Sequence, residues 1–274
     1  MNLKIDTKIE LHNGVYMPII GLGTWPLKGK DVYNAILWAL DIGYRLIDTA
    51  SFYRNEKEIG NALKVTKVPR DEIFITTKVW NNEQGYGNTL KAFGRSIERL
   101  KLKYIDLYLI HWPVSGLRKE TWRALENLYE DEKVRAIGVC NFTIRLLNEL
   151  LETSSLFPTV NQIEFSPFLY QKELMDYCQD KKITVEAYCP LTRGRKFNNK
   201  TLREISHKYN KTPAQILIRW GLQHNIVEIP KSGNKNHLME NIDVFNFNLD
   251  EGDMNELDNL NEDFRLVADP HLIA

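Results

Sequence analysis

Short apolar runs alternate with longer segments of helical period along most of the chain. Eight runs rich in β-branched residues predict strands, because such runs bounded by turn signals favour extended backbone. They are MPIIGLGTW, YRLIDTA, EIFITTKV, IDLYLIHW, RAIGVCN, TVNQIEF, ITVEAYC and NIVEIPKS. Ahead of the first run, TKIELHNGVYM contains Asn13-Gly14, the turn signal of a tight hairpin.

Six intervening segments repeat apolar residues at helical spacing. They are KDVYNAILWALDIG, GNTLKAFGRSIERLK, TWRALENLYEDEK, TIRLLNELLETS, KELMDYCQDKK and TPAQILIRWGLQHN. The first ends at Gly43, a natural residue just beyond a helix, and the last begins with the capping pair Thr212-Pro213. This alternation predicts an α/β protein, a (β/α)8 TIM barrel with the N-terminal β-hairpin closing the bottom and an additional C-terminal helix. A doubly wound sheet remains open from periodicity alone.

The composition narrows the class of protein. No linker or charge block divides the sequence, so residues 1–274 are interpreted as one domain. The 36 basic and 36 acidic residues cancel, without the basic cluster of a nucleic-acid binder. No apolar run reaches signal-peptide or membrane-span length, so we expect a cytoplasmic protein without a membrane partner, a monomer or weak homodimer. Three cysteines without a C-x-x-C pair argue against a disulfide framework and against a metal site.

Unusual polar residues stand at the ends of the predicted strands. In a barrel the active site lies where strands end and the following loops begin. The residues in such positions are Asp48, Lys78, His111, Asn141, Gln162, Tyr188 and Lys231. Each alone has an ordinary structural explanation, such as a turn aspartate or a solvated lysine. Their joint occurrence at strand ends favours the functional interpretation.

Four of the residues in this region predict a proton-delivery device. Tyr53 is a weak acid, since the unperturbed pKa of a phenol is about 10. A cationic neighbour such as Lys78 lowers that pKa, and a carboxylate such as Asp48 can hold the cation in place. His111 can orient the oxygen that receives the proton. The combination indicates carbonyl reduction.

Eight motifs of the chain resemble the aldo-keto reductases. They are LGTWP, YRLIDTASFYRNEKEIG, FITTKVW, DLYLIHWP, VRAIGVCNF, VNQIEFSPF, AYCPL and IPKS…MEN, in order from about Ile19 to Asn241. The resemblance is nearest to small microbial aldehyde and diketone reductases, the 2,5-diketo-gluconate reductase and prostaglandin F synthase-like group. It implies a barrel that binds NADPH across its mouth and reduces small or aromatic aldehydes, α-dicarbonyls or sugar-derived carbonyls to alcohols.

The resemblance also implies a role for each matching residue. Tyr53 becomes the proton donor, Lys78 the group that lowers its pKa, and Asp48 the ion-pair partner of the lysine. His111 then orients the carbonyl. The implied cofactor-binding residues are Thr24, Trp25, Asp48, Cys140, Asn141, Gln162, Tyr188, Cys189, Pro190, Leu191, Lys231, Ser232, His237, Glu240 and Asn241. The implied substrate-binding residues are Trp25, Phe52, Tyr53, Trp80, His111 and Trp112.

Three positions depart from the family pattern. Cys140 and Cys189 stand where serine is usual, and a thiol is a weaker hydrogen-bond donor than a hydroxyl. We interpret both as small buried thiols in preference to an oxidisable pair. His237 stands where an arginine commonly contacts the 2′-phosphate of NADPH. Because histidine lacks the fixed charge and forked donors of arginine, we expect a modest NADPH preference, with NADH also usable and the ratio rising at lower pH.

Two rival functions remain open at this point. The family resembles the cofactor-sensing regulatory subunits of some ion channels, which could retain the four catalytic residues with little turnover. A barrel lyase or isomerase could instead form a Schiff base on Lys78, although that chemistry leaves Tyr53 and His111 unexplained.

Overall fold

The computed structural model describes residues 3–272, which contain ten strands and ten α-helices. The strands are β1 (Lys8–Glu10), β2 (Tyr16–Pro18), β3 (Leu22–Gly23), β4 (Leu46–Asp48), β5 (Phe74–Val79), β6 (Ile105–Ile110), β7 (Val134–Cys140), β8 (Val160–Glu164), β9 (Thr184–Tyr188) and β10 (Val227–Glu228). The helices are α1 (Gly29–Ile42), α2 (Glu56–Val65), α3 (Tyr86–Leu100), α4 (Arg118–Glu130), α5 (Ile144–Thr153), α6 (Lys172–Asp180), α7 (Lys200–Tyr209), α8 (Pro213–Gln223), α9 (Lys235–Ile242) and α10 (Glu251–Asp258).

Strands β3 to β10 form one parallel sheet in the order of the sequence. Its two edges meet, because Ile20 bridges to Glu228 and Gly23 bridges to Lys231 in parallel register. The amide of Gly21 donates to the Glu228 carbonyl at 2.8 Å across this seam. The sheet is therefore a closed eight-stranded barrel, as the alternating pattern predicts, and the doubly wound alternative is wrong.

The N-terminal hairpin closes the bottom of the barrel. Strands β1 and β2 pair antiparallel, and Gly14 takes a φ of 82° in the turn between them. This left-handed backbone carries little strain in glycine. Leu11 and Met17 are buried and belong to the same apolar cluster as Leu46 and Val227, which line the interior of the barrel.

The side chains that fill the barrel interior change from apolar at the bottom to polar near the mouth. Side chains alternate between the two faces of a strand. The interior side chains near the bottom are apolar, as in Phe74 of β5 and Val160 of β8. Toward the carboxyl ends of the strands the interior side chains become polar and stay buried. They are Asp48, Thr76, Lys78, Gln162 and Glu186. Buried polar groups are tolerated when they are paired, so this layer requires specific partners.

The predicted helices are present, and three further helices had not been predicted. Gly43 follows α1 with a φ of 119°, and Thr212 begins α8 with a capping box to Gln215. Helix α10 is the additional C-terminal helix. Helices α2, α7 and α9 lie in polar segments whose apolar stripe is narrow; in α7 only Leu202 and Ile205 are buried apolar residues. None of the helices within residues 3–272 is long and apolar enough to cross a bilayer.

Candidate active site

Lys78 lies at the centre of the site and is fully buried near the end of β5. Its Nζ donates to both carboxylate oxygens of Asp48, at 2.7 and 2.6 Å, and to the Thr49 carbonyl at 3.0 Å. Burial lowers the pKa of Lys78, but the neighbouring Asp48, Tyr53 and Cys140 together more than offset burial, with Asp48 the main contributor among them, so the pKa of Lys78 is raised. The predicted ion pair is therefore formed, and the amine is held as an ammonium.

Tyr53 follows β4 in a short 3-10 turn and reaches the same ammonium. Its hydroxyl lies 3.5 Å from Lys78 Nζ. Burial raises the pKa of Tyr53, and Lys78 opposes that rise without overcoming it. The influence of Lys78 has the predicted direction, but the expectation of a net lowered pKa is wrong. Tyr53 is consequently a neutral phenol that keeps its proton near neutral pH.

His111 directly follows β6 and faces the same space. Burial, reinforced by the Lys78 charge, holds the pKa of His111 well below its usual range, so its imidazole is neutral. Its ring centre lies 5.6 Å from that of Tyr53. Within residues 3–272, its buried Nδ1 has no hydrogen-bond partner. The structure thus brings together all four residues of the predicted proton-delivery device.

Aromatic rings form a wall beside Tyr53 and His111. Phe52 stacks on Trp80 with ring centres 3.8 Å apart and on Trp25 at 5.3 Å. The Trp80 ring meets His111 edge-on at 5.0 Å. Trp25 and Phe52 are about two-fifths exposed, at 40% and 39%, so the wall opens to solvent.

Trp112, the remaining predicted substrate residue, is half-buried. Its backbone oxygen accepts from Gln84 at 2.6 Å. The structure therefore groups Trp25, Phe52 and Trp80 with Tyr53 and His111 and does not place Trp112 in the same stack.

Asn141, directly after β7, and Tyr188, at the end of β9, lie next to each other at the mouth of the barrel. Tyr188 donates its hydroxyl to Asn141 Oδ1 at 2.7 Å, and Asn141 Nδ2 donates to the His111 carbonyl at 3.1 Å. Asn141 takes a φ of 65° directly after β7, and Cys189 a φ of 54° directly after β9. Left-handed backbone is costly for residues other than glycine and concentrates at functional sites. Both strand ends thus bend at the rim of the site.

The resemblance implies that Gln162 binds the cofactor, but in the structure its amide nitrogen points into the barrel interior and is already hydrogen-bonded there. Its Nε2 donates to Asp48 Oδ2 at 2.9 Å and to Glu186 Oε2 at 2.6 Å. Both amide hydrogens therefore have carboxyl partners inside the barrel. Its Oε1 accepts a long contact from Cys140 Sγ at 3.8 Å and is the remaining atom with which Gln162 can meet a ligand.

The two cysteines of the mouth have different environments. Cys140 is buried, and Asn141 Nδ2 lies 3.1 Å from its sulfur. Burial raises the pKa of both thiols. Both cysteines are free. Cys189 is half-buried, as is Leu191, and Pro190 between them is buried.

The segment after β10 forms the other end of the mouth. Lys231, Lys235 and His237 are exposed there, and His237 lies in the first turn of α9. Asn234 caps this helix by accepting from the amides of Asn236 and His237 at 2.8 and 3.3 Å.

Three predicted cofactor residues of the same segment are already engaged or covered. Ser232 is buried and donates to the Asn234 carbonyl at 3.2 Å. Glu240 accepts from the Thr212 hydroxyl at 2.7 Å. Asn241, on the inner side of α9, is buried.

Asn55 is a site residue that the sequence reasoning missed. It is fully buried; its Oδ1 accepts from Thr49 at 2.6 Å, and its Nδ2 donates to the Thr24 hydroxyl at 3.2 Å and the Leu27 carbonyl at 3.0 Å. The Thr24 hydroxyl in turn donates to the Asp48 carbonyl at 2.9 Å. One amide thus joins the loops after β3 and β4. No sequence signal separates it from an ordinary helix-capping asparagine.

A comparison with protein families decides the class of this site. The sequence model of one family, described as the aldo/keto reductase family, matches residues 19–262 of this chain. The chain belongs to this family. It is therefore an oxidoreductase, and the resemblance seen in its motifs is confirmed.

Curated relatives match this aldo-keto reductase along nearly its whole length. Glyoxal reductase of Bacillus subtilis is 48% identical over 271 residues, covering 98% of both chains. The 9,11-endoperoxide prostaglandin H2 reductase of Trypanosoma cruzi is 49% identical over 266 residues, covering 96% of this chain and 94% of the relative. Methylglyoxal reductase of Escherichia coli is 42% identical over 268 residues, covering 96% and 97%.

Solved structures match the barrel closely. An aldo-keto reductase from a Medee basin deep-sea metagenome library superposes with a TM-score of 0.94 at 46% identity, covering 95% of this chain and 97% of that one. A mutant of the protein Gox0644, solved in complex with NADPH, superposes with a TM-score of 0.92 at 40% identity, covering 97% of each chain.

The donors around the mouth of this aldo-keto reductase suit a nicotinamide dinucleotide. Lys231 and Lys235 are exposed beside the N-terminus of α9, and lysine ammonium groups bind phosphate; His237 lies exposed in the first turn of the same helix. At the other end, Tyr188 ends β9 and hydrogen-bonds Asn141, and Oε1 of Gln162 on β8 has only the long contact from Cys140. The residues present therefore fit such a cofactor.

Proposed function

We propose that this protein catalyses NADPH-dependent reduction of small aldehydes and ketones to alcohols, with α-dicarbonyls such as glyoxal and methylglyoxal as its substrate class. One observation carries the proposal. Lys78 Nζ lies within 2.7 Å of both Asp48 oxygens and 3.5 Å from the Tyr53 hydroxyl, beside a neutral His111.

Each of the four residues has a separate role in protonating the carbonyl oxygen. Tyr53 donates its proton to that oxygen as negative charge develops there, and the Lys78 ammonium stabilises the phenolate that remains. Neutral His111 orients the oxygen by a hydrogen bond from its ring. Asp48 holds Lys78 in place. A bound reduced nicotinamide supplies the hydride for the carbonyl carbon.

The pocket favours small carbonyl compounds. Its wall is the aromatic stack of Trp25, Phe52 and Trp80, and only a short segment links His111 to α4, which begins at Arg118. A short loop leaves little protein to enclose a large substrate. The names of two relatives, glyoxal reductase and methylglyoxal reductase, support the same substrate class.

For the cofactor we propose NADPH with a modest preference over NADH. Asn141 and Oε1 of Gln162 would bind the carboxamide, Tyr188 would stack on the nicotinamide, and the exposed Lys231 would bind the adenosine phosphate; Ser232 would have to give up its hydrogen bond to Asn234 to join it. His237 replaces the arginine common at its position and carries no fixed charge. The complex of Gox0644 with NADPH supports this choice of cofactor.

The test is turnover of a substrate panel followed at the nicotinamide absorbance. Glyoxal, methylglyoxal, benzaldehyde and an aldose are each assayed with NADPH and with NADH. We expect the highest kcat/KM for the dicarbonyls with NADPH. A protein that binds NADPH but turns over none of these compounds would support the regulatory-subunit alternative and would refute the enzymatic proposal.

The structure argues against the Schiff-base alternative. Imine formation requires an uncharged amine, whereas Lys78 donates to both oxygens of Asp48 and its pKa is raised. Borohydride added together with a carbonyl substrate should therefore leave the mass of the chain unchanged.

A further inference from the structure

Glu186 is a buried glutamate inside the barrel that the proposed reaction does not use. Its side chain is fully buried, and it lies two residues before Tyr188 on β9, so it points to the same face one layer deeper. Gln162 stands directly opposite Glu186 in the register of β8 and β9. An unpaired acid here would be costly, so its partner matters.

That partner is an amide shared with the catalytic centre. Gln162 Nε2 donates to Glu186 Oε2 at 2.6 Å and to Asp48 Oδ2 at 2.9 Å. A side-chain amide has two N–H donors and one acceptor oxygen. With a carboxyl oxygen on each hydrogen, the amide nitrogen must face Asp48 and Glu186, and Oε1 must face away from them.

We propose that Glu186 is a positioning residue for the reduction: it fixes the Gln162 amide, which in turn steadies Asp48 and presents Oε1 to the carboxamide of the nicotinamide. This rests on the proposed function. Asp48 then holds Lys78, and Lys78 lies 3.5 Å from the Tyr53 hydroxyl. Four successive hydrogen bonds thereby connect Glu186 with the Tyr53 hydroxyl, so Glu186 influences the geometry of the proton donor without touching it.

The electrostatics of the layer agree with a positioning role. Burial, followed by the Asp48 charge, raises the pKa of Glu186 to about 8. The charged or titratable groups that face it are Asp48 on β4, Lys78 on β5 and Cys140 on β7. Near neutral pH Glu186 is therefore uncharged, and Asp48 alone balances Lys78. Above about pH 8 Glu186 adds a second negative charge beside Asp48, and the Lys78 ammonium then faces two carboxylates; we expect this to disturb the Gln162–Asp48–Lys78 arrangement and to slow the reduction at alkaline pH.

Glu228 provides a matched control on the neighbouring strand β10. It is also fully buried, and burial raises the pKa of its carboxyl well above the usual range. It pairs in register with Ala187, the neighbour of Glu186, and so points to the opposite face. A Cβ on Gly221 of α8 would lie 1.6 Å from Glu228 Oε1, so this side chain packs on the outer helix layer.

The experiment compares Glu186→Leu and Glu186→Gln with Glu228→Leu and Glu228→Gln in the full chain. For each variant, kcat and KM for methylglyoxal, the NADPH dissociation constant and the thermal midpoint are measured from about pH 6 to about pH 9.5. We expect Glu186→Leu to lose about tenfold in kcat/KM and to bind NADPH about threefold more weakly, since Oε1 of Gln162 is no longer held. Glu186→Gln should restore most of this loss near pH 7 and should remove the alkaline decline above about pH 8.

The Glu228 variants should lose thermal stability without changing kcat, KM or the pH profile. The proposal is overturned if both Glu186 variants keep wild-type kinetics and affinity, or if the Glu186 and Glu228 pairs lose activity equally in step with their thermal midpoints. It is also overturned if the Glu186→Gln profile keeps the wild-type alkaline limb. Failure of the proposed function looks different, since wild-type protein would then show no turnover with any carbonyl compound.

Discussion

The two ends of the barrel mouth are built in opposite ways. At the catalytic end, Lys78 and Asp48 are buried and tied by several short hydrogen bonds. At the other end, which we assign to the cofactor phosphate and call the phosphate end, Lys235 and His237 are exposed on a helix whose first amides are already capped by Asn234. The buried side chains of the catalytic end are held in one arrangement by their hydrogen bonds, so a substitution there disturbs that arrangement. The side chains of the phosphate end are exposed, so a substitution there should cost little stability. Substitutions should therefore act on the chemistry at one end and on cofactor selection at the other.

The largest effect is expected from Tyr53→Phe. This change removes the donated proton and leaves the ring in place beside Trp25, 5.2 Å away between ring centres, so kcat should fall by about 10²- to 10⁴-fold. NADPH binding, measured by quenching of tryptophan fluorescence, should stay close to that of the wild type. A variant that keeps full activity would remove Tyr53 as the proton donor.

Lys78→Met tests whether the catalytic end is also a structural unit. It leaves Asp48 buried without its cation and takes away the charge that opposes the rise in the Tyr53 pKa. We expect a fall in kcat of about 10²-fold and a loss of about 3–5 kcal/mol in the free energy of unfolding. Urea unfolding followed by circular dichroism measures the second effect. Unchanged stability would contradict the assignment of a buried, necessary ion pair.

His237→Arg tests the phosphate end. Arginine adds a permanent charge and a forked donor for the 2′-phosphate, so the ratio of kcat/KM with NADPH to that with NADH should rise about tenfold. The kcat for methylglyoxal with saturating NADPH and the free energy of unfolding should both stay near wild type, because the position is exposed. An equal ratio in both proteins would exclude this residue as a determinant of cofactor choice.

The smallest effect concerns stability against pH. The pKa of Glu186 is about 8 in the folded protein and 4.5 in the reference state, so the folded state holds this proton more tightly. The stabilisation that Glu186 gives by holding this proton is fully present below pH 4.5 and is lost as the pH rises to about 8. The free energy of unfolding should decline less over this window in Glu186→Gln than in the wild type. Glu228 acts in the same direction in both proteins, so the difference between the two curves isolates Glu186; parallel curves would contradict the raised pKa.

The barrel and the polar residues at its strand ends could be predicted from the sequence, and the reason is physical. Asp48, Lys78 and His111 are polar residues that end apolar runs, and closing a parallel barrel brings all such ends to one rim. Glu186 gave no comparable signal, because one acid in ITVEAYC cannot be assigned to a face before the register with β8 is known. The pKa of Tyr53 was misjudged for a related reason: sequence shows a cationic neighbour but not the depth of burial. Helix α9 was missed because the segment is mostly polar.

The hairpin of β1 and β2 has a kinetic consequence. Because Leu11, Met17 and the apolar layer above them fill the bottom of the barrel, small molecules can reach Tyr53 and His111 only from the rim. If the cofactor binds beneath the substrate, it must enter first and leave last, and its slow dissociation would then limit turnover even when hydride transfer is fast.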